Sequence, residues 1–177
     1  MAGLVGHSNL RMAVLGEESF ERPATDAERA QISELTARCL AEGAFGVSLS
    51  FVDSDSRGRR VPGRQASPEE MDDLAAALAD AGHGIVQYVP RFMRTEGYIR
   101  DIERVTGFAT PAGVTQTYAP LVVGRRDREK ADAVLARTRE LRAAGHPVWP
   151  QISPRSGFDA PVVFDGSSLS FAAMPAW

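Results

Sequence analysis

The chain spells one succession of elements four times: an amphipathic helix, a glycine, a few residues, a short apolar strand and a long polar loop. Strands that alternate with helices in this way pair in parallel, because each helix carries the chain back to the starting edge of the sheet. The first helix is predicted at about 26–42. Thr25 caps it and Glu28 completes a capping box, while Ile32, Leu35, Thr36, Cys39 and Leu40 form one buried stripe before Gly43. The second begins after Ser67, with Pro68 in the first helical position and Glu70 closing a second box; Met71, Leu74, Ala75 and Leu78 supply its apolar face, and Gly82 stops it. A third spans about 96–106, with Tyr98, Ile99, Ile102 and Val105 facing inward and Gly107 as its stop. The fourth spans about 127–144, with Ala131, Val134, Leu135, Thr138 and Leu141 on one face and Gly145 after it. Strands are expected at 45–51, 85–89, 114–118 and 148–152, with a short one at 4–7.

The expected fold class is therefore α/β, with about five parallel strands and four helices. Two architectures satisfy it: a doubly wound sheet and a partial (βα)8 TIM barrel. A closed barrel needs about 250 residues, so the 177 here would cover about five of its eight strands. Three features favour the barrel piece. The chain begins almost inside a strand, its strand-to-helix loops are long, and no glycine-rich phosphate fingerprint follows any strand. The barrel portion is expected over 1–153. The remainder, 154–177, is punctuated by Gly, Pro and Asp without periodicity and is expected as loop or extension, with one short strand at 162–164.

Composition narrows the function classes. Lys plus Arg number 20 and Asp plus Glu 23, a net charge of −3, which argues against a dedicated nucleic-acid binder. Hydrophobic residues at 44% are ordinary for a soluble domain, and no apolar run approaches the roughly 18 residues of a membrane helix. Cys39 is the one cysteine, so no intrachain disulfide can form and a reducing cytoplasm is the expected compartment.

The strand-to-helix loops all point to one end of such a sheet, and the arginines concentrate there: Arg11 and Arg22, then Arg57, Arg59, Arg60 and Arg64, then Arg91 and Arg94, Arg125 and Arg126, and Arg155. The helix-to-strand connections hold none. Guanidinium forks match carboxylates, which points to a small-anion site; a solvated rim neutralised by Glu17, Glu18, Glu21, Asp53 and Asp55 is the competing account. His83 and His146 follow helix-ending glycines at the opposite end and are expected to be structural. His7 lies at the end of the first strand, as a ligand, an acid or base, or a buried hydrogen-bond partner. Gln87, Gln116 and Gln151 fall near the ends of three strands, either converging on a polar substrate or satisfied inside the core. No Cys-x-x-Cys, His-x-His, Gly-x-Ser-x-Gly or Walker pattern occurs.

Several stretches together carry a resemblance. They are Val5-Gly-His-Ser-Asn-Leu-Arg-Met-Ala-Val-Leu-Gly16, Arg22-Pro-Ala-Thr25, Ala41-Glu-Gly-Ala-Phe-Gly-Val-Ser-Leu-Ser50, Val61-Pro-Gly-Arg64 and Ala66-Ser-Pro-Glu-Glu70. In this order and spacing the chain resembles the D-aminoacylase branch of the amidohydrolase superfamily, the N-acyl-D-amino-acid deacylases, most closely up to Val89. The resemblance implies a zinc-dependent (βα)8 barrel of which this chain would be strands three to seven, with the His-x-His of the first strand and the aspartate of the eighth lying outside it. It implies hydrolysis of the amide of an N-acylated D-amino acid, a small anionic substrate. The family's fifth and sixth strands end in metal-binding histidines. Here those positions read Gln87-Tyr-Val-Pro-Arg91 and Thr115-Gln-Thr-Tyr118, so no zinc ligand carries over. The residues expected to bind substrate are His7, Arg57, Arg60, Arg64, Gln87, Gln116 and Gln151, with Arg57, Arg60 and Arg64 including the anion contact. Two other readings stand beside this one: a non-catalytic barrel fragment that self-associates or pairs with a partner chain through open sheet edges, and a self-contained α/β domain that binds a small anion.

Overall fold

In the computed structural model, which describes residues 3–121, 123 and 127–152, five short strands lie side by side in chain order: β1 (Val5–Gly6), β2 (Gly46–Ser50), β3 (Ile85–Val89), β4 (Thr115–Tyr118) and β5 (Val148–Pro150). Every pairing is parallel. The helices between them are α1 (His7–Leu15), α2 (Asp26–Ala41), α3 (Pro68–Asp80), α4 (Thr95–Ala109) and α5 (Arg128–Ala143), with short 3-10 turns at Gly16–Phe20 and Pro62–Gln65. A doubly wound sheet reverses its strand order at a switch point. This one never does, so the architecture is α/β and consistent with part of a (βα)8 barrel wall.

The register sorts the side chains. Val47, Val86, Gln116 and Val148 stand in one row across the sheet, and Leu49, Tyr88 and Tyr118 in the next. All are buried, packed with Ile32, Leu40, Leu74, Leu78, Ile102, Val105, Val134 and Leu141 from the helices. The alternate residues Ser48, Gln87 and Thr117 form the other, half-buried face. Close approach of β2 to β3 depends on Gly46, at φ +154: a Cβ there would stand 2.2 Å from the Ile85 carbonyl oxygen.

The α2 cap forms in full. Thr25 accepts from the Glu28 amide while its own amide donates to Glu28 Oε2 at 2.8 Å. Three expectations need correction. First, the described residues hold a fifth helix beyond the four that spacing reveals, and the segment after β1 is not loop: His7 opens α1, which places Arg11 on a helix rather than in a loop. Its buried positions, His7, Leu10, Arg11 and Leu15, have helical spacing, but two of them are polar, so an apolar stripe does not reveal it. Second, Gly107 does not end α4. The helix continues to Ala109 because Phe108 and Ala109 are buried, which outweighs the roughly 1 kcal/mol that a helical glycine costs. The chain turns at Gly113 (φ +70), whose amide donates to the Thr110 carbonyl at 2.9 Å. Third, the second capping box is only half made. Ser67 accepts from the Glu70 amide at 3.3 Å, but the Glu70 carboxylate turns inward. The expected strand at 162–164, the segment 154–177, and Arg125, Arg126 and Arg155 lie outside the described residues.

Candidate functional site

The loops leaving the C-terminal ends of the strands gather at one end of the sheet, and the longest, Phe51 to Ser67, folds back on itself through an antiparallel bridge between Ser54 and Arg60. Beneath it lies a buried charge network. His7 Nε2 and Glu70 Oε1 are 2.6 Å apart, Arg11 Nη1 donates to Glu70 Oε2, and Arg11 Nη2 donates to the Arg22 carbonyl at 2.7 Å. Glu70 and His7 are 1% exposed and Arg11 0%. Burial pushes the Glu70 carboxyl upward, yet the hydrogen bonds and charges of His7 and Arg11 prevail and hold it below the usual carboxylate range. The backbone at Gly63 closes over this network, its amide donating to Ser8 Oγ at 3.0 Å. This network explains the turned carboxylate of α3: one glutamate anchors α3 to α1 from across the chain.

Above it the arginines separate into two groups. Arg22 is held by Glu18 and Glu28, and Arg59 by Asp55 and Glu17 with its guanidinium 3.8 Å from the Phe20 ring centroid. The Arg22 contacts, with the Thr25 cap, lower the Glu28 carboxyl to about 2. Arg91 grips Asp101 with Nε and Nη2, at 2.5–3.1 Å. Arg57 and Arg60 project into solvent, and half-buried Arg64 donates from Nη1 to the Val52 carbonyl at 3.2 Å. Among the described residues, none of these three has a carboxylate partner within ion-pair distance.

The structure therefore brings Arg60 and Arg64 to one rim but gives other sequence candidates different surroundings. His7 is enclosed by the Glu70 network. Gln116 lies on the helix-facing side, accepting from Tyr88 Oη at 3.0 Å and donating to Thr106 Oγ1 at 2.7 Å. Gln87 is on the opposite face, and Gln151 is exposed beyond β5, so the three amides do not converge. Arg91 stands at this rim too, although nothing in the sequence pattern sets it apart from the other loop arginines. Its signal was the Asp101 one helix later, which spacing alone does not connect to it.

Zinc does not fit the described residues. Among the described residues no three His, Cys, Asp or Glu side chains stand together to hold an ion. The ends of β3 and β4 lead into Pro90 and Arg91 and into Ala119 and Pro120, none of which is a zinc donor. No helix among the described residues is long and apolar enough to cross a membrane.

The described residues form an α/β sheet of five parallel strands, consistent with part of a barrel, with Arg57, Arg60 and Arg64 unpaired by carboxylates at its C-terminal end. Comparison with known proteins sharpens this. No family model matches the chain. The chain is 30% identical over 165 residues to the N-acyl-D-glutamate deacylase of Alcaligenes xylosoxydans xylosoxydans, a match covering 89% of this chain and 30% of that protein. It is 53% identical over 76 residues to the N-acyl-D-aspartate deacylase of the same organism, covering 42% of this chain and 13% of that protein. The chain thus spans less than a third of the length of the curated relatives it matches. It is a weak homologue of N-acyl-D-amino-acid deacylases over part of their length.

Proposed function

We propose that the chain is a deacylase-related barrel portion that recognises an N-acylated acidic amino acid, holding its carboxylates at the cationic rim through Arg57, Arg60 and Arg64. The reaction class is that named for the relatives, cleavage of the amide between acyl group and amino acid. The observation that carries the reading is the coincidence of homology with charge. Relatives named for acyl-aspartate and acyl-glutamate match a chain whose strand ends present guanidinium groups without carboxylate partners among the described residues. We assign the polar amide of the substrate to Gln87, which is half-buried on the face of β3 opposite Tyr88.

The test is calorimetric titration with N-acetyl-D-aspartate, alongside release of free D-aspartate. Replacing each of Arg57, Arg60 and Arg64 by alanine is expected to weaken binding in at least one variant by about tenfold, the worth of one charged hydrogen bond. Unchanged affinity in all three rejects the assignment. A second reading, pairing with another chain, is favoured by β1 and β5, which form the two edges of the described sheet. Sedimentation of a strict monomer at high concentration would count against it.

A further inference from the structure

β2 and β3 leave the sheet together. Ser50 and Val89 are in register, and the Phe51 amide donates to the Val89 carbonyl at 2.9 Å. Two residues past Ser50, the Val52 carbonyl receives Arg64. Two residues past Val89 comes Arg91, fixed with unusual completeness: its amide donates to Asp101 Oδ2 at 2.7 Å, and its Nε and Nη2 donate to the same carboxylate. Asp101 is itself 0% exposed. The clamp occupies one edge of the Arg91 guanidinium, and Nη1 has no hydrogen-bond partner among the described residues. Arg64 likewise has only the Val52 carbonyl among them. The two groups act on each other. Burial first, then the charges of Arg60 and Arg91, push the Arg64 guanidinium below its ordinary range, and Asp101 and Asp53 offset this only in part.

Arg91 is paired with Asp101, while Arg64 and the more exposed Arg60 have no carboxylate within ion-pair distance among the described residues, so the rim keeps positive charge that Asp53 offsets only in part and that a bound anion relieves. A divalent cation at the same place would add to it. We propose that the ends of β2 and β3 form a metal-independent oxyanion site, in which Arg64 and Arg91 together hold a carboxylate or phosphate group and Asp101 is the positioning residue that fixes Arg91. The inference rests on the preceding reading only in taking this end as the ligand-binding end. It adds Arg91, and it requires no metal.

The experiment uses the whole chain, stripped with EDTA, and titrates N-acetyl-D-aspartate, succinate and inorganic phosphate with and without added zinc. Saturable binding of at least one anion, unchanged by zinc and weakened about ten- to hundredfold by Arg64→Ala and by Arg91→Ala, is the expected result. Should an alanine variant fail to fold, Arg64→Lys and Arg91→Lys, which keep the charge and lose the fork, decide by weaker binding than wild type. In an Asp101→Asn background Arg91→Ala should cost little more, because both changes remove the same contact; full additivity removes Asp101 from the site. No binding of any of the three anions, binding restored only by zinc, or binding indifferent to both arginines overturns the proposal. If succinate and phosphate bind as tightly as the acylated amino acid, the oxyanion site stands and the deacylase reading falls. If N-acetyl-D-aspartate binds only with zinc, the reverse holds.

Discussion

Glu70→Gln removes a single negative charge from the interior and almost no volume. The amide that meets the Ser67 cap stays in place, so the helix start survives and the effect isolates the network. What remains is a fully buried Arg11 without a counter-charge, left with the Arg22 carbonyl and one amide oxygen in place of a carboxylate, and with Nε already lacking a partner among the described residues. Breaking a buried ion pair by removing one partner costs about 3–5 kcal/mol. Against a typical total of about 5–15 kcal/mol, that is at least about a fifth of the stability of an ordinary domain. Urea denaturation followed by far-UV circular dichroism at pH 7 reads it directly. A loss below about 1 kcal/mol would refute the argument that Arg11 depends on this carboxylate. The companion variant, Arg11→Met with Glu70→Leu, replaces the pair with apolar groups and is expected to recover most of the loss, leaving roughly 1 kcal/mol for the hydrogen bond that His7 forfeits. Acid gives an independent check. Glu70 holds its proton less tightly folded than unfolded, so its stabilisation is complete above its ordinary value of 4.5 and drains away as pH falls below that. Wild type should therefore lose stability more steeply than Glu70→Gln below pH 4.5.

Other perturbations separate local from tertiary causes. Gly46→Ala places a Cβ 2.2 Å from the Ile85 carbonyl oxygen, so β2 and β3 cannot keep their pairing; loss of the cooperative melting transition is expected. Gly107→Ala adds a methyl where nothing lies within 4 Å, on an exposed face of α4, and should raise stability by about 0.5–1 kcal/mol in the same urea assay. Thr25→Ala removes the complete capping box of α2 and should cost about 1 kcal/mol, with a loss near zero showing that the cap is redundant.

The parts of the fold written in apolar spacing were legible. Ile32, Thr36 and Leu40, or Met71, Leu74 and Leu78, announce their helices because the buried positions there are mostly apolar and recur at helical spacing. α1 was hidden because polar side chains occupy part of its buried face: His7 and Arg11 look like loop chemistry until Glu70, far along the chain, is known to meet them. Glu70 misled for the same reason, since a carboxylate three residues after a serine fits a local cap as well as it fits a distant guanidinium. Period-two alternation could have separated Gln87 from Gln116, yet only the register shows that they occupy opposite faces. The arginine concentration was visible as a count per loop. Which members are neutralised depends on partners such as Asp101 and Glu17, whose approach is set by packing.

The strand order has a consequence in time. Every strand pairs with the one just before it, and every helix packs on its sequence neighbour, so no distant loop must close before the first contacts form. A nascent chain of this kind can acquire structure step by step during synthesis, each finished step offering the template on which the following one docks. Amide exchange should then follow position in the sheet, fastest in the outermost steps and slowest around β3.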